Sequence, residues 1–311
     1  MRTTRIVLTI MNTKTLNQQV NEIKNNTRMS ANKKAEALVK LGVTPYEAMI
    51  IARASMPAPT PRATRFTYTF GVEIECVGCE FGAFKTAAEN NGLRVFEQFF
   101  YNHRDMPMYK LTTDSSIAGD HAAECVTPAL NGNRTGFESL KGCCKALSEI
   151  GASVNRSCGL HVHIGAASLN EEQYCNVFFN YMRMETAIDS FLAPSRRDLN
   201  AQWCASLTPH AFAIEHADRR EQVRRALGSR YHRVNAEAWV AHKTIEFRQH
   251  QGTTNFTKIS NWVKFLGKLV EWSRTNRLEN VVTRIEDIPF LTQAEKNYFI
   301  SRRGEFENQT R

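Results

Sequence analysis

The segment 66–75, Phe-Thr-Tyr-Thr-Phe-Gly-Val-Glu-Ile-Glu, alternates apolar and polar residues, which is the period of a strand with two unlike faces. Phe66, Tyr68, Phe70, Val72 and Ile74 point one way. Glu73 and Glu75 point the other way together, about 6.5 to 7 Å apart along the strand. Carboxylates set in such apolar sequence are costly unless a cation or a water-filled cleft compensates them. Taken alone, a solvated outer face also accounts for them.

The same design recurs further along the chain. In 157–165, Cys158, Leu160, Val162 and Ile164 share one face and His161 and His163 the other. A lone histidine on a sheet is commonly a satisfied structural residue, but two on one face between small glycines leave room for a bound group. In 244–250, Ile245 and Phe247 oppose Thr244, Glu246, Arg248 and His250. The Glu246 and Arg248 pair reads either as a cross-strand ion-pair set or, beside a metal, as partners for a cation and a phosphate oxygen. A fourth strand, 123–128, adds Glu124 and ends at Pro128.

Together these segments predict an α+β fold: an antiparallel sheet with an oily face against helices and a polar face carrying Glu73, Glu75, Glu124, His161, His163, Glu246, Arg248 and His250. Four carboxylates with one or two imidazoles suit two or three divalent ions. Hard oxygens hold Mg²⁺ or Mn²⁺ while leaving coordination positions for phosphate oxygens and water.

At 311 residues and 42% hydrophobic, the chain has material for one core of about 240 residues with a small appendage. No apolar run approaches the roughly 20 residues of a membrane span, and the stretch 5–10 is too short for a signal-peptide core, so the expected location is cytoplasmic. The eight cysteines are scattered through apolar segments, which predicts free thiols and not a secreted disulfide framework. Cys76 and Cys79 lack the second pair of a zinc knuckle.

The net charge of +9 is unevenly spread. Residues 1–65 hold 11 basic against 3 acidic residues, leaving 29 against 28 in the remainder. A polyanion partner is therefore a question for the N-terminal segment alone. That segment reads as a basic helical hairpin over residues 1–55, with Gly42 as a helix stop and Thr44-Pro45-Tyr46-Glu47 as a capping box. Most such hairpins pack on a neighbour or tether a partner, and nucleic-acid contact is the lesser reading. Residues 56–65 form a Pro-rich linker, and 66–311 the main domain. Met29 is a second candidate start. Within the main domain, 169–192 and 256–275 carry aromatic stripes at core-helix spacing, and 292–295 opens a short helix before a polar tail from about residue 301.

Gly71-Val72-Glu73-Ile74-Glu75, Glu124-Cys125-Val126-Thr127-Pro128, Cys158-Gly159-Leu160-His161-Val162-His163-Ile164 and Thr244-Ile245-Glu246-Phe247-Arg248, followed by Gly252-Thr253, resemble the putative amidoligase family. That family belongs to the superfamily of glutamine synthetase and glutamate–cysteine ligase. The stretches Ser195-Arg196-Arg197 and Arg230 to Asn235 are similar too, and the match spans 66 to about 275. The resemblance implies a glutamine-synthetase-like sheet and an ATP-dependent carboxylate–amine ligase that forms an amide or isopeptide bond through an acyl phosphate. Glu75 and Glu124 would help hold one metal ion, and Glu73, His161 and Glu246 a second. Arg248 and His163, with Arg196 and Arg197, would face the ATP phosphates. Asp114 and Ser115, with His250, would contact substrate. Neither the carboxylate, the amine nor the amine-deprotonating base is named by the sequence. Rival classes are a guanidino-type phosphotransferase of the same superfamily, a metal-dependent hydrolase using His161 and His163, and a nucleic-acid-binding protein with an inactive ligase-like core.

Overall fold

The computed structural model describes residues 14–26, 28–54, 68–97, 99–100 and 104–309. The expected linker 56–65, like the start of the first alternating segment, lies outside the described residues. The chain divides into two compact units, Met1–Arg62 and Ala63–Arg311.

In the first unit three helices are described: α1 (Leu16–Asn25), α2 (Ala31–Lys40) and α3 (Pro45–Ala54). The expected hairpin is the α2–α3 pair, turning at Gly42, whose φ of +93° suits a residue without a Cβ. Thr44 caps α3: its Oγ1 accepts from the Glu47 amide at 3.4 Å and donates to Glu47 Oε2 at 2.6 Å. The additional helix α1 carries its own capping box through Thr15 and Gln18. Leu38, Ala48 and Ala52 form a small core of the unit, with Val20 and Ile23 of α1 packed against it.

The second unit is built on a seven-stranded antiparallel sheet. Its strands are β1 (Thr69–Cys76), β2 (Lys110–Thr112), β3 (Ala123–Val126), β4 (Leu130–Asn131), β5 (Gly159–Gly165), β6 (Val234–Asn235) and β7 (Thr244–Gln251). The order is β2-β3-β1-β5-β7-β6, with β4 also pairing β1. Around it are α4 (Phe81–Asn90), α5 (Arg134–Glu149), α6 (Glu171–Ser190), α7 (Ala211–Glu215), α8 (Arg220–Leu227), α9 (Ala238–His242), α10 (Phe256–Ser273) and α11 (Gln293–Gln309). Phe70, Val72, Ile74, Leu160, Val162, Ile164, Ile245 and Phe247 enter one apolar core with Phe178 and Tyr181 of α6 and Trp262 and Phe265 of α10. The alternation thus delivers one apolar set per strand to the helices, as its period requires.

Two expectations change. The chain from residue 301 is not a loose tail: α11 continues to Gln309. Ion pairs Arg302–Glu305 and Arg303–Glu307 at helical spacing and the buried Phe306 support that last stretch. The second change is in β7. Val162 pairs with Phe247 but Leu160 pairs with His250, so two steps on β5 match three on β7. This is a β-bulge, and the extra residue shifts the alternation beyond it by one. All eight cysteines are buried free thiols.

Candidate metal and phosphate site

The register puts the charged residues of neighbouring strands opposite one another. Glu73 faces His161 and Gly71 faces His163 across β1 and β5; Glu75 faces Glu124 across β1 and β3; His163 faces Glu246 across β5 and β7. His161 sits at the centre. Its Nδ1 is 2.9 Å from Glu73 Oε2, 3.9 Å from Glu124 Oε1 and 3.8 Å from Glu246 Oε1, and its Nε2 is 3.4 Å from Glu75 Oε1. One imidazole thus touches four carboxylates drawn from three strands.

Neighbouring groups hold these side chains in place. The Gly159 amide donates to Glu75 Oε2 at 2.5 Å. A Cβ at residue 159 would stand 3.2 Å from both Arg196 Nη2 and His161 Nε2 and 3.4 Å from Glu75 Oε2, so the missing side chain lets all three groups converge. Asn235 of β6 donates to Glu246 Oε2 at 2.5 Å, and Arg248 Nη1 donates to Glu246 Oε1 at 2.5 Å. His163 Nδ1 lies 2.9 Å from Thr244 Oγ1, which turns its Nε2 towards Glu73 Oε1 at 3.3 Å.

The electrostatics diverge within the cluster. Burial and the nearby Glu73, Glu75 and Asp114 carboxylates push Glu124 well above the usual carboxylate range. Burial acts on Glu73 in the same sense, yet the imidazoles of His161 and His163 beside it hold it well below that range. Glu246 is also lowered: Arg248 and His163 outweigh its burial. His163 is raised by Glu73 and Glu246 against the effect of burial.

These residues fit divalent ions. Ligand atoms of Glu73, Glu124 and His161 lie within 4.8 Å of one another, as do those of Glu73, His163 and Glu246, and those of Glu75, Asp114 and Glu124. His163 Nε2 is a buried nitrogen that approaches Glu73 Oε1 at 3.3 Å without hydrogen-bond geometry, and burial together with like-charged neighbours raises Glu124 well above the usual carboxylate range. A bound cation would relieve both. Asp114, expected at the substrate, is therefore placed within reach of an ion beside Glu75 and Glu124.

Two cavities border the cluster. The larger, of about 830 Å³, is lined by Glu73, Glu124, His163 and Lys110 and by the apolar side chains of Met106, Met108 and Val126. The smaller, of about 380 Å³, is lined by Glu75, His161, Asp114, Ser115, Arg196, Arg230 and Arg248, with Trp203 and Tyr231. Arg248 also donates from Nε to Trp203 O at 3.3 Å, tying the loop after α6 to β7.

Two expected site residues lie elsewhere. His250 faces the helices: its ring is 5.6 Å from that of Trp262, and its Nδ1 bonds Gln251 O at 2.7 Å. The bulge is the reason, since it sends both Gln249 and His250 to the helix side. Gln249 there accepts from Tyr181 Oη at 2.6 Å and donates to Asp189 Oδ1 at 2.5 Å. Arg197 lines neither cavity. Its Nε and Nη2 bond Leu192 O at 2.9 and 2.7 Å, satisfying a carbonyl beyond the end of α6. Conversely, Lys110 and Asn235 were missed. Neither sits in an alternating charged segment, and Lys110 lies on a three-residue strand too short to show a period.

A buried cluster of carboxylates and imidazoles on an antiparallel sheet, flanked by cation-lined cavities, defines a candidate metal-dependent centre for phosphate chemistry. The chain belongs to the family described as "Putative amidoligase enzyme", which matches residues 67–270. No curated protein matches the chain. Among solved structures it is similar to a bifunctional glutathione synthetase from Pasteurella multocida, at 13% identity and a TM-score of 0.33, over 78% of this chain and 45% of that one. The chain thus spans less than half of that protein.

Proposed function

We propose that the protein is an ATP-dependent carboxylate–amine ligase that uses Mg²⁺ or Mn²⁺ and works through an acyl phosphate, with residues 66–311 as the catalytic domain in a glutamine-synthetase-like arrangement. The observation that carries this is the cluster around His161, bordered by two cavities of unequal size. The larger cavity joins apolar walls to charged groups, which suits a nucleotide. The smaller, with three arginines, suits a carboxylate substrate.

Glu73, Glu75, Glu124, His161 and Glu246 would hold the ions, with Asp114 beside them. Bound there, the ions would neutralise phosphate charge and polarise the transferred group. A carboxylate is a poor electrophile; placing the γ-phosphoryl on one of its oxygens makes an acyl phosphate with a good leaving group. His163 is positioned at the larger cavity to meet the phosphates. Arg248 opens on the smaller one while still paired to Glu246, so its planar fork faces the phosphoryl group as it passes to the carboxylate oxygen. An amine then attacks the acyl carbon, loses a proton, and expels phosphate carrying one oxygen of the original carboxylate.

That oxygen is the test. With an ¹⁸O-labelled carboxylate, an amine and ATP, label is expected in inorganic phosphate, with one amide formed per phosphate released. Label in AMP would overturn the acyl-phosphate route in favour of adenylation, and a phosphorylated product without free phosphate would make the protein a kinase.

A further inference from the structure

Among the described residues four arginines are buried: Arg196, Arg233, Arg248 and Arg302. Three of them pair with carboxylates, Arg233 with Glu185 and Asp189, Arg248 with Glu246, and Arg302 with Glu305. Arg196 is the exception. It is 7% exposed and pairs with no carboxylate among the described residues; its Nη2 donates to Cys158 O at 2.5 Å and its Nη1 to Cys204 Sγ at 3.9 Å. A carbonyl and a thiol leave a buried guanidinium charge uncompensated, so a bound anion would complete the site. Arg196 lines the smaller cavity and not the larger. In the smaller one Arg248 is committed to Glu246, and Arg230 lies over the Tyr231 ring, 5.2 Å from its centroid.

A buried charge without a carboxylate partner keeps its place only if its backbone is held. Gln249 Nε2 donates to Arg196 O at 3.2 Å, and Arg233 Nη2 donates to Arg197 O at 2.9 Å. Arg233 is in turn fixed by α6, its Nη1 lying 3.2 Å from Glu185 Oε2 and 3.1 Å from Asp189 Oδ1. Glu185 also accepts from the Leu207 amide at 2.8 Å and from Thr208 Oγ1 at 3.1 Å, while the Arg233 amide donates to Ala205 O at 2.9 Å. The segment from Arg196 to Thr208, which carries Trp203 and Cys204, is thus fastened at both ends to one buried network. None of these contacts involves the carboxylates around His161.

We propose that Arg233 is a positioning residue which, through Glu185 and Asp189, presents Arg196 to a carboxylate in the smaller cavity. The proposal rests on the ligase function only in taking that carboxylate to be the substrate's.

Cys204 offers the readout, because its thiol is buried on the fastened segment beside Arg196. The test measures iodoacetamide labelling of each cysteine in the full chain, located by peptide mass spectrometry, with acetate as the probe and chloride as the ionic-strength control. MgATP affinity and thermal unfolding are measured alongside, for the wild type, Asp189→Asn, Arg233→Lys and Arg196→Met. In Asp189→Asn and Arg233→Lys, Cys204 should label about tenfold faster while Cys76 and Cys125 keep their rates, since a weakened charge-assisted bond opens the segment alone. Acetate should slow the labelling of Cys204 in the wild type, require about tenfold more concentration in those two variants, and have no effect in Arg196→Met. MgATP affinity should be unchanged in Asp189→Asn and Arg233→Lys. Arg196→Met should keep its thermal midpoint, because Cys158 O retains the Gly252 amide at 2.9 Å.

Equal acceleration of all the cysteines in Asp189→Asn would make the network a support of the whole fold and overturn the positioning role. Protection of Cys204 by MgATP and not by acetate would assign Arg196 to the phosphates and overturn the carboxylate contact, as would no protection by either. A wild type that binds no MgATP would remove the ligase function, while acetate protection lost in Arg196→Met would still support the site. If Asp189→Asn does not fold, Arg233→Lys decides on the same labelling ratio.

Discussion

Strands β5 and β7 lie side by side and carry nearly the same pattern, yet only one keeps it. In β5, His161 and His163 both reach the carboxylate cluster. In β7, Glu246 and Arg248 do so, but the bulge turns His250, the next residue in the alternation, to the helices. The two strands show what a single inserted residue does: it ends a charged face without changing the composition of the strand. It also frees Gln249 to bridge Asp189 and the Arg196 carbonyl, so the break that removes His250 secures the segment that brings Arg196 to the site.

The largest effect should come from the residues before the bulge. Glu246→Gln removes a charge from the cluster at constant volume, and ligase turnover is expected to fall by about 100-fold or more with the thermal midpoint preserved. Retention of turnover at limiting Mg²⁺ would place the ion elsewhere. Next, the same substitution in two histidines sets the strands against each other. His163→Gln should cost about tenfold or more in kcat/KM while leaving stability near wild type. His250→Gln should cost about 1 to 3 kcal/mol of stability and leave kcat/KM unchanged at low temperature. A reversal of these two outcomes would return His250 to the site.

The smallest effect concerns pH. Burial pushes His250 down to about 3, so the folded protein keeps it neutral, whereas the unfolded chain protonates it near its ordinary value of about 6.5. Its contribution to stability is therefore complete above about 6.5 and declines as pH falls towards about 3, by at most about 1.4 kcal/mol per pH unit. The stability gap between wild type and His250→Gln should narrow from pH 7 to pH 4. A constant gap would mean that the imidazole is not held neutral in the core.

Much of the sheet and most of the cluster were legible because a period of two is a geometric property of the chain itself. Glu73, Glu75, Glu124, His161, His163, Glu246 and Arg248 were all marked by their position in alternating segments, and these side chains do meet. What escaped was set by contacts between segments. The bulge depends on how β7 pairs with β5 and on the seat that Tyr181 and Asp189 offer Gln249, none of which is local. Arg197 follows a residue that does reach the smaller cavity, and its direction is decided by the carbonyl of Leu192. The helical course beyond residue 301 was hidden because its polar residues pair with one another at helical spacing while Phe306 is buried.

The buried thiols make a clock for motions of this fold. Cys76 and Cys125 each follow a cluster glutamate, so they lie on the reverse of the same strands, and Cys125 Sγ is 3.5 Å from Cys143 Sγ on α5. None of the eight sulfurs is exposed, so a thiol reagent in solution modifies them only as fast as the surrounding structure opens. The order in which they become labelled would time the separation of β1, β3 and α5, reporting from behind the charged cluster without altering any residue in it.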